Sequence, residues 1–432
     1  MRKRLASVDE GKGEVVLAPP HVSTHHHDPR SGRWCFFENA IEMLDQPGEW
    51  YLDRSKGILS YWPMDGQDMS KAQVVAPVLR QLLEIAGTSD QMVRNLHFKG
   101  LAFRHVDWLI PQWGFAGRQG GTMYLPDNGA GFIGEAILWR YAESCSLTDC
   151  EIAHVGGCGL SLRKGCVKNL VEGNHMYDIG ANGINVGEDL SIVYNKHGFV
   201  GPRATANYKP PAHEVPRDNR VANNYIHACG VDYYGGVGIY VAFTDGTVLS
   251  HNLLHDLPYT GISVGMFWGV TPTVCRDNVV EYNHIYDVMK TMDDGAGIYT
   301  LGSQPGSVIR GNVIHDVRRN PFAHNILSGG LYFDCGSSEI LVEGNTVYRL
   351  ALPDWPCPPV FLGVRTRNIV FRKNVIVVQA GGKPFHGLNK KKEKLFKFEA
   401  NKTPAHEGWK PPADLKTRVG LEAPYRQALL GQ

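Results

Sequence analysis

Apolar and polar residues alternate one for one in short runs along most of this chain, and two phrases recur. The first has the form Asn-x-apolar-(His/Tyr)-Asp. It reads NHMYD at Asn174, NYIHA at Asn224, NLLHD at Asn252, NHIYD at Asn283, NVIHD at Asn312 and NTVYR at Asn345, with a fading copy, NVIVV, at Asn374. From Asn224 onward the steps between copies are 28, 31, 29, 33 and 29 residues, the period of a solenoid. The second phrase is glycine followed by apolar-x-apolar: GLSL at Gly159, GINV at Gly183, GIYV at Gly238, GISV at Gly261, GIYT at Gly297 and GLYF at Gly330. A period of two marks short strands, and helical i, i+3, i+4 spacing is scarce.

Short strands separated by Gly and Asn corners make the coils of a parallel β-helix, each coil pairing with the next at about 4.8 Å. The pattern therefore predicts an all-β fold, a right-handed parallel β-helix over residues 73–380. Residues 1–72 are expected as an N-terminal segment packed on the solenoid, and residues 381–432 as an irregular C-terminal tail. Asparagine suits a repeated corner because it tolerates left-handed backbone and its amide both donates and accepts, so stacked copies form a ladder. The histidines recurring at one corner, His227, His255 and His315, read as stacking residues. Two stretches break the period, 108–135 and 188–220; insertions in a solenoid map to loops on one side, often the binding side.

Composition narrows the function. The 49 glycines, 18 tyrosines and nine tryptophans fit a turn-rich β protein, and a net charge of +1 argues against nucleic acid as partner. The one dense lysine run, Asn389 to Lys394, reads as a solvated loop. No apolar stretch is long enough to span a membrane, and the start, MRKRLASVDEGKGEVVL, lacks the apolar region of a signal peptide. The nine cysteines show no zinc spacing and read as small buried residues. In HVSTHHHD, from His21 to Asp28, consecutive histidines on an extended chain point alternately, so no metal site is expected there and no cofactor is implied.

Three segments carry a resemblance: GEWYLDRSKGILSYWP (Gly48 to Pro63), HDLPYTGISVG (His255 to Gly265), and MDDGAGIYTLGSQPGSVIRGNVIHD running on to GGLYFDCGSS (Met292 to Ser338). Together they resemble right-handed β-helix proteins of glycoside hydrolase family 141, over most of the chain. The resemblance implies hydrolysis of a fucoside or xylan-like linkage in plant- or algal-type glycans, and a secreted or periplasmic setting. Members of the family usually carry a longer N-terminal portion, so the first coils and their cap are expected to be missing here. The resemblance points to Asp294 and Asp334 as acid and as nucleophile or base. Asp293, beside Asp294, is the competing match; counting back from GIYTLG favours Asp294.

Two carboxyl groups about a scissile bond are what glycoside hydrolysis needs. Asp294 and Asp334 lie in consecutive coils, yet if Gly297 stacks on Gly330 they are offset by seven residues, about 24 Å on a straight strand. Alternation places Tyr299 and Tyr332 side by side on the outer face with Tyr240 and Ser263, as an exposed aromatic platform for a sugar ring. His324, Tyr259, Trp268 and Trp113 are candidate cleft walls. The reading from the residues is thus a metal-independent hydrolase of a neutral glycoside. Alternatives are a polysaccharide lyase or uronan epimerase, which would need a basic row, and a carbohydrate-binding β-helix without turnover.

Overall fold

A computed structural model describes residues 2–19, 35–117, 119–124, 130–188, 194–195, 198–199, 210–265, 267–320, 328–350 and 357–431. The chain forms two compact units, Ser23–Pro77 by itself and Met1–Val22 together with Val78–Gln432. In the smaller unit an antiparallel pair, Trp50–Asp53 with Ile58–Tyr61, closes on a turn in which the Asp53 carboxylate accepts from the Ser55 and Lys56 amides.

The larger unit is a parallel β-helix. Among the described residues three parallel sheets, of ten, ten and nine strands, each gain one strand per coil in chain order. The first runs from Leu83–Ala86 to Phe385–His386, the second from His97–Lys99 to Phe396–Glu399, and the third from Ala102–Val106 to Val375–Ile376. Inside the coils the first sheet contributes the row Ile137, Leu160, Ile184, Ile239, Ile262, Ile298, Leu331, Val360, in register and buried. The glycine that opens the second phrase is there because that position faces a filled interior. A Cβ at Gly238, Gly261, Gly297 or Gly330 would lie 2.6, 2.6, 2.5 or 2.3 Å from Leu254, Ile285, Ile314 or Val347.

The asparagines stack as expected. Asn174, Asn224, Asn252, Asn283, Asn312, Asn345, Asn374 and Asn401 form one ladder, each Nδ2 donating to the next Oδ1 at 2.8–3.0 Å. The left-handed residue at this corner, however, is the one before each asparagine: Gly173, Asn223, His251, Tyr282, Gly311, Gly344, Lys373 and Ala400 all have φ between 53° and 70°. The asparagine itself is needed for its amide, which must point into the coil. Asn283 Nδ2 also donates to the Leu249 carbonyl at 3.0 Å, and its backbone N–H to Asn312 Oδ1 at 3.0 Å. Asn283→Ala and Asn312→Ala should each cost roughly 1–3 kcal/mol through partners left unpaired in the interior. Urea melts in which both variants unfold with the parent would remove the ladder from the list of stabilising features.

The recurring histidines do stack, His227 on His255 and Tyr286 on His315, each pair with centroids 5.1 Å apart and nearly parallel. Burial pushes His227 down to about 4, so it is neutral at ordinary pH, and lowers His255 and His315 as well. Seven of the cysteines are buried, Cys335 is half-buried and Cys35 exposed. The strand ladders continue through Phe385–His386 and Phe396–Glu399, and the chain ends in a helix, Ala423–Leu430, held by Glu422 and Asn223.

Candidate active site

Four consecutive strands of the first sheet build the site: β1 (Ile262–Gly265), β2 (Gly295–Thr300), β3 (Ser328–Phe333) and β4 (Val360–Leu362). Ser263, Tyr299, Tyr332 and Phe361 pair across them in register and form the outer row. Asp294 immediately precedes β2 and Asp334 immediately follows β3, at opposite ends of a paired segment.

The two acids nevertheless meet the same pair of rings. Tyr299 Oη donates to Asp334 Oδ2 at 2.7 Å, and Tyr332 Oη donates to Asp294 Oδ1 at 3.2 Å. The rings are edge to face, centroids 5.0 Å apart. The 24 Å offset counted backbone along a straight strand. Asp294 sits in left-handed backbone, φ 59°, and long tyrosine side chains span what the backbone does not. Gly295 permits the close approach, because a Cβ there would lie 2.6 Å from the Tyr259 ring and 2.7 Å from Thr260.

Two further groups hold Asp294. Tyr259 Oη donates to its backbone carbonyl at 2.6 Å. Gln119 Nε2 donates to Oδ2 at 3.0 Å and to the same carbonyl at 3.1 Å. Gln119 was missed from sequence; the available signal was its place in GRQGG, within the insertion at 108–135 that breaks the repeat. That insertion lies over the outer row: Phe132 packs edge-on against Tyr240 at 5.4 Å, and Asn182 Nδ2 donates to the Gly120 carbonyl. Consequently the outer aromatics are not an exposed platform. Tyr240, Ser263, Tyr299 and Tyr332 are all 2% exposed or less; Phe132 of the insertion lies on Tyr240, and Tyr332 is flanked by the rings of Tyr299 and Phe361.

Burial raises the Asp294 carboxyl from its ordinary 3.8 to about 6, the negative charge of Asp334 adds to the rise, and the Gln119 and Tyr332 hydrogen bonds oppose it. Burial likewise pushes the Tyr259, Tyr299 and Tyr332 hydroxyls far up, so they remain donors at any working pH. Both acids keep part of their surface in solvent. The arrangement brings two carboxyl groups to one tyrosine pair, with the protonated form of Asp294 favoured and three neutral phenols around them.

Of the other candidates, Asp293 is half-buried beside Asp294, Trp268 packs partly buried on the main core, and Trp113 is half-buried with its carbonyl accepting from Lys3 Nζ. His324 and the run from His21 to Asp28 lie outside the described residues. Asp334 also has a steric boundary. A Cβ on Gly363 in the next coil would lie 2.7 Å from Asp334 Oδ1 and 3.0 Å from its Cα. Gly363→Ala should therefore displace this carboxylate and lower turnover about tenfold with the melting profile kept; unchanged turnover would mean that Asp334 yields freely.

Comparison with known proteins bears on the fold and the family. A family described as "Right handed beta helix region" matches residues 135–347, and one described as "GH141 insertion domain" matches residues 19–64. No curated protein matches the chain. Among solved structures, a glycoside hydrolase superposes with a TM-score of 0.70 at 26% identity, over 90% of this chain and 61% of its own, so this chain spans less than two thirds of that protein. Two others are the A-module of the Azotobacter vinelandii mannuronan C-5 epimerase AlgE4 (TM-score 0.43, 11% identity, 63% of this chain and 71% of that one) and the GH136 lacto-N-biosidase from Eubacterium ramulus (0.44, 12%, 77% and 61%).

Proposed function

The chain is a glycoside hydrolase family 141-like right-handed parallel β-helix protein, and from that premise we propose that it hydrolyses a glycosidic bond through Asp294 and Asp334. The observation that carries this reading is that one tyrosine pair receives both carboxylates, and that Asp294, buried and facing the charge of Asp334, is shifted up to about 6. A carboxyl group kept protonated toward neutral pH by burial and a neighbouring carboxylate is what a general acid requires, and the neighbour is then free to act as base or nucleophile. Asp294, protonated, would donate to the departing glycosidic oxygen. Asp334, oriented by the Tyr299 hydroxyl, would attack the anomeric carbon or deprotonate the attacking water. Tyr332 and Gln119 would hold Asp294 in place, and Asp293 would serve as alternate partner only if Asp294 proved silent. The glycan would be a plant- or algal-type oligosaccharide or polysaccharide with a fucoside or xylan-like linkage.

A glycan panel scored by release of reducing ends tests this. Cleavage should occur without the ultraviolet absorbance of an unsaturated uronate. Appearance of that absorbance would make the protein a lyase; binding with no product on fucosides and xylans would make it a binding module.

A further inference from the structure

Charge is distributed unevenly along the solenoid, which the net value of +1 conceals. Between Arg365 and Lys402 there are eleven Lys and Arg against two Glu, a local excess of nine positive charges. In earlier coils arginines pair across neighbouring strands: Arg104 with Glu151, Arg310 with Glu281, Arg349 with Asp316. Among the described residues, Arg372 pairs with Glu343, but no ion pair joins Arg365, Lys383, Lys390, Lys392 or Lys397 to an acid.

One of these cations reaches the strand next to the acids. The lysine run, expected as a solvated loop, forms a single helical turn, Lys390–Glu393, capped by Asn389, whose side chain accepts from the Lys391 and Lys392 amides. From it the half-buried Lys392 side chain extends to the end of β4, donating to the carbonyls of Gly363 at 3.1 Å and Leu362 at 3.5 Å. Gly363 neighbours Asp334 in the adjoining coil, where a Cβ on it would lie 2.7 Å from Asp334 Oδ1. An ammonium has three donors, so one remains for a ligand. Arg365 lies two residues further on, exposed, in the turn whose Val364 carbonyl accepts from the Gly336 amide, two residues past Asp334.

We infer that Lys392 and Arg365 form an anion-binding subsite adjoining the acid pair, which receives the carboxylate or sulfate of a sugar unit neighbouring the one cleaved. The path of the sugar chain rests on the hydrolase reading of Asp294 and Asp334; the anion preference rests on the cations alone. The substrate would then be a neutral glycosidic unit within an acidic glycan. A cation without an acid partner that is already half desolvated and held by backbone carbonyls, as Lys392 is, favours an anion more than a free surface lysine does. An acidic chain would also be drawn toward these last coils by the local field at low ionic strength.

Calorimetric titration of the full chain with three oligosaccharides of equal length, an oligogalacturonate, a sulfated galactan fragment and a neutral xylo-oligosaccharide, tests the subsite. At least one acidic ligand should bind tenfold or more tightly than the neutral one, and whichever does identifies carboxylate or sulfate as the recognised group. Lys392→Met and Arg365→Ala should each remove most of that preference, whereas Lys99→Ala, in an early coil, should leave it intact. Arg365 is exposed, so its variant keeps the test valid should the Lys392 change perturb folding. Equal affinity for the neutral ligand, or parent-like binding in both variants, would overturn the inference. So would equal competition by single-stranded DNA, which would mark a surface for polyanions in general. Tight acidic-glycan binding with no hydrolysis of any glycan would leave the subsite standing and remove the hydrolase reading; hydrolysis indifferent to charge would do the reverse.

Discussion

Asp334→Asn and Asp294→Asn should each lower turnover on a cleaved glycoside by a factor on the order of 10² or more, with binding largely kept. Asparagine keeps the shape of each side chain, and Tyr299 Oη and Tyr332 Oη can still donate to its amide oxygen. What is lost is the proton that Asp294 gives or the charge that Asp334 supplies. The two losses should not add, because the carboxyls act on one bond, so the double variant should be little worse than the weaker single one. Single-turnover rates and ligand affinities measured on all three variants check this. Full activity in Asp334→Asn would misplace the site; a silent Asp294→Asn alone would pass the role to Asp293 or another acid.

The second large effect is on pH dependence. If Asp294 must be protonated to act, kcat/KM should fall above about pH 6, tenfold per unit, reaching about 10² by pH 8. The causes of the shift give the sign of further changes. Gln119→Leu removes a hydrogen bond that lowers the Asp294 value, so the alkaline limb should move to higher pH; Tyr332→Phe should move it the same way. A role for Gln119 confined to packing the insertion would change the rate without moving the limb.

Stability should follow the same group. The Asp294 carboxyl is raised in the folded state, so its contribution is fully present below its ordinary 3.8 and is lost as pH rises through about 6. Asp294→Asn cannot titrate. Its melting temperature should therefore gain on that of the parent between pH 4 and pH 7, a direction opposite to that of its activity. Such opposition is expected where a site holds a group in a costly setting.

Repetition made the architecture legible. Each coil is one copy of the same local problem, a row of apolar residues facing in, a glycine where the interior is full, and an amide at the corner, so seven copies of the asparagine phrase announce the ladder before any coordinates. The alternation within GIYT and GLYF likewise fixes Tyr299 beside Tyr332, since a period of two leaves no freedom once the inner row is set.

What no repeat encodes is where a side chain reaches and what lies on top of it. That Asp294 and Asp334 share a tyrosine pair depends on a left-handed residue at 294 and on ring length, neither of which a residue count along the strand contains. The insertion at 108–135 places Phe132 on Tyr240 and Gln119 on an acid 175 residues away, and irregular sequence carries no period from which to read its path. The position of Lys392 at Gly363 similarly arises where a helical turn folds back on the last coils. Local sequence determined the solenoid, its ladder and its outer row, because those are nearest-neighbour interactions along one axis. Only the tertiary structure decided which acids share the tyrosine pair, how deeply they are buried and that Lys392 reaches Gly363, because each of these depends on contacts between segments distant in the chain.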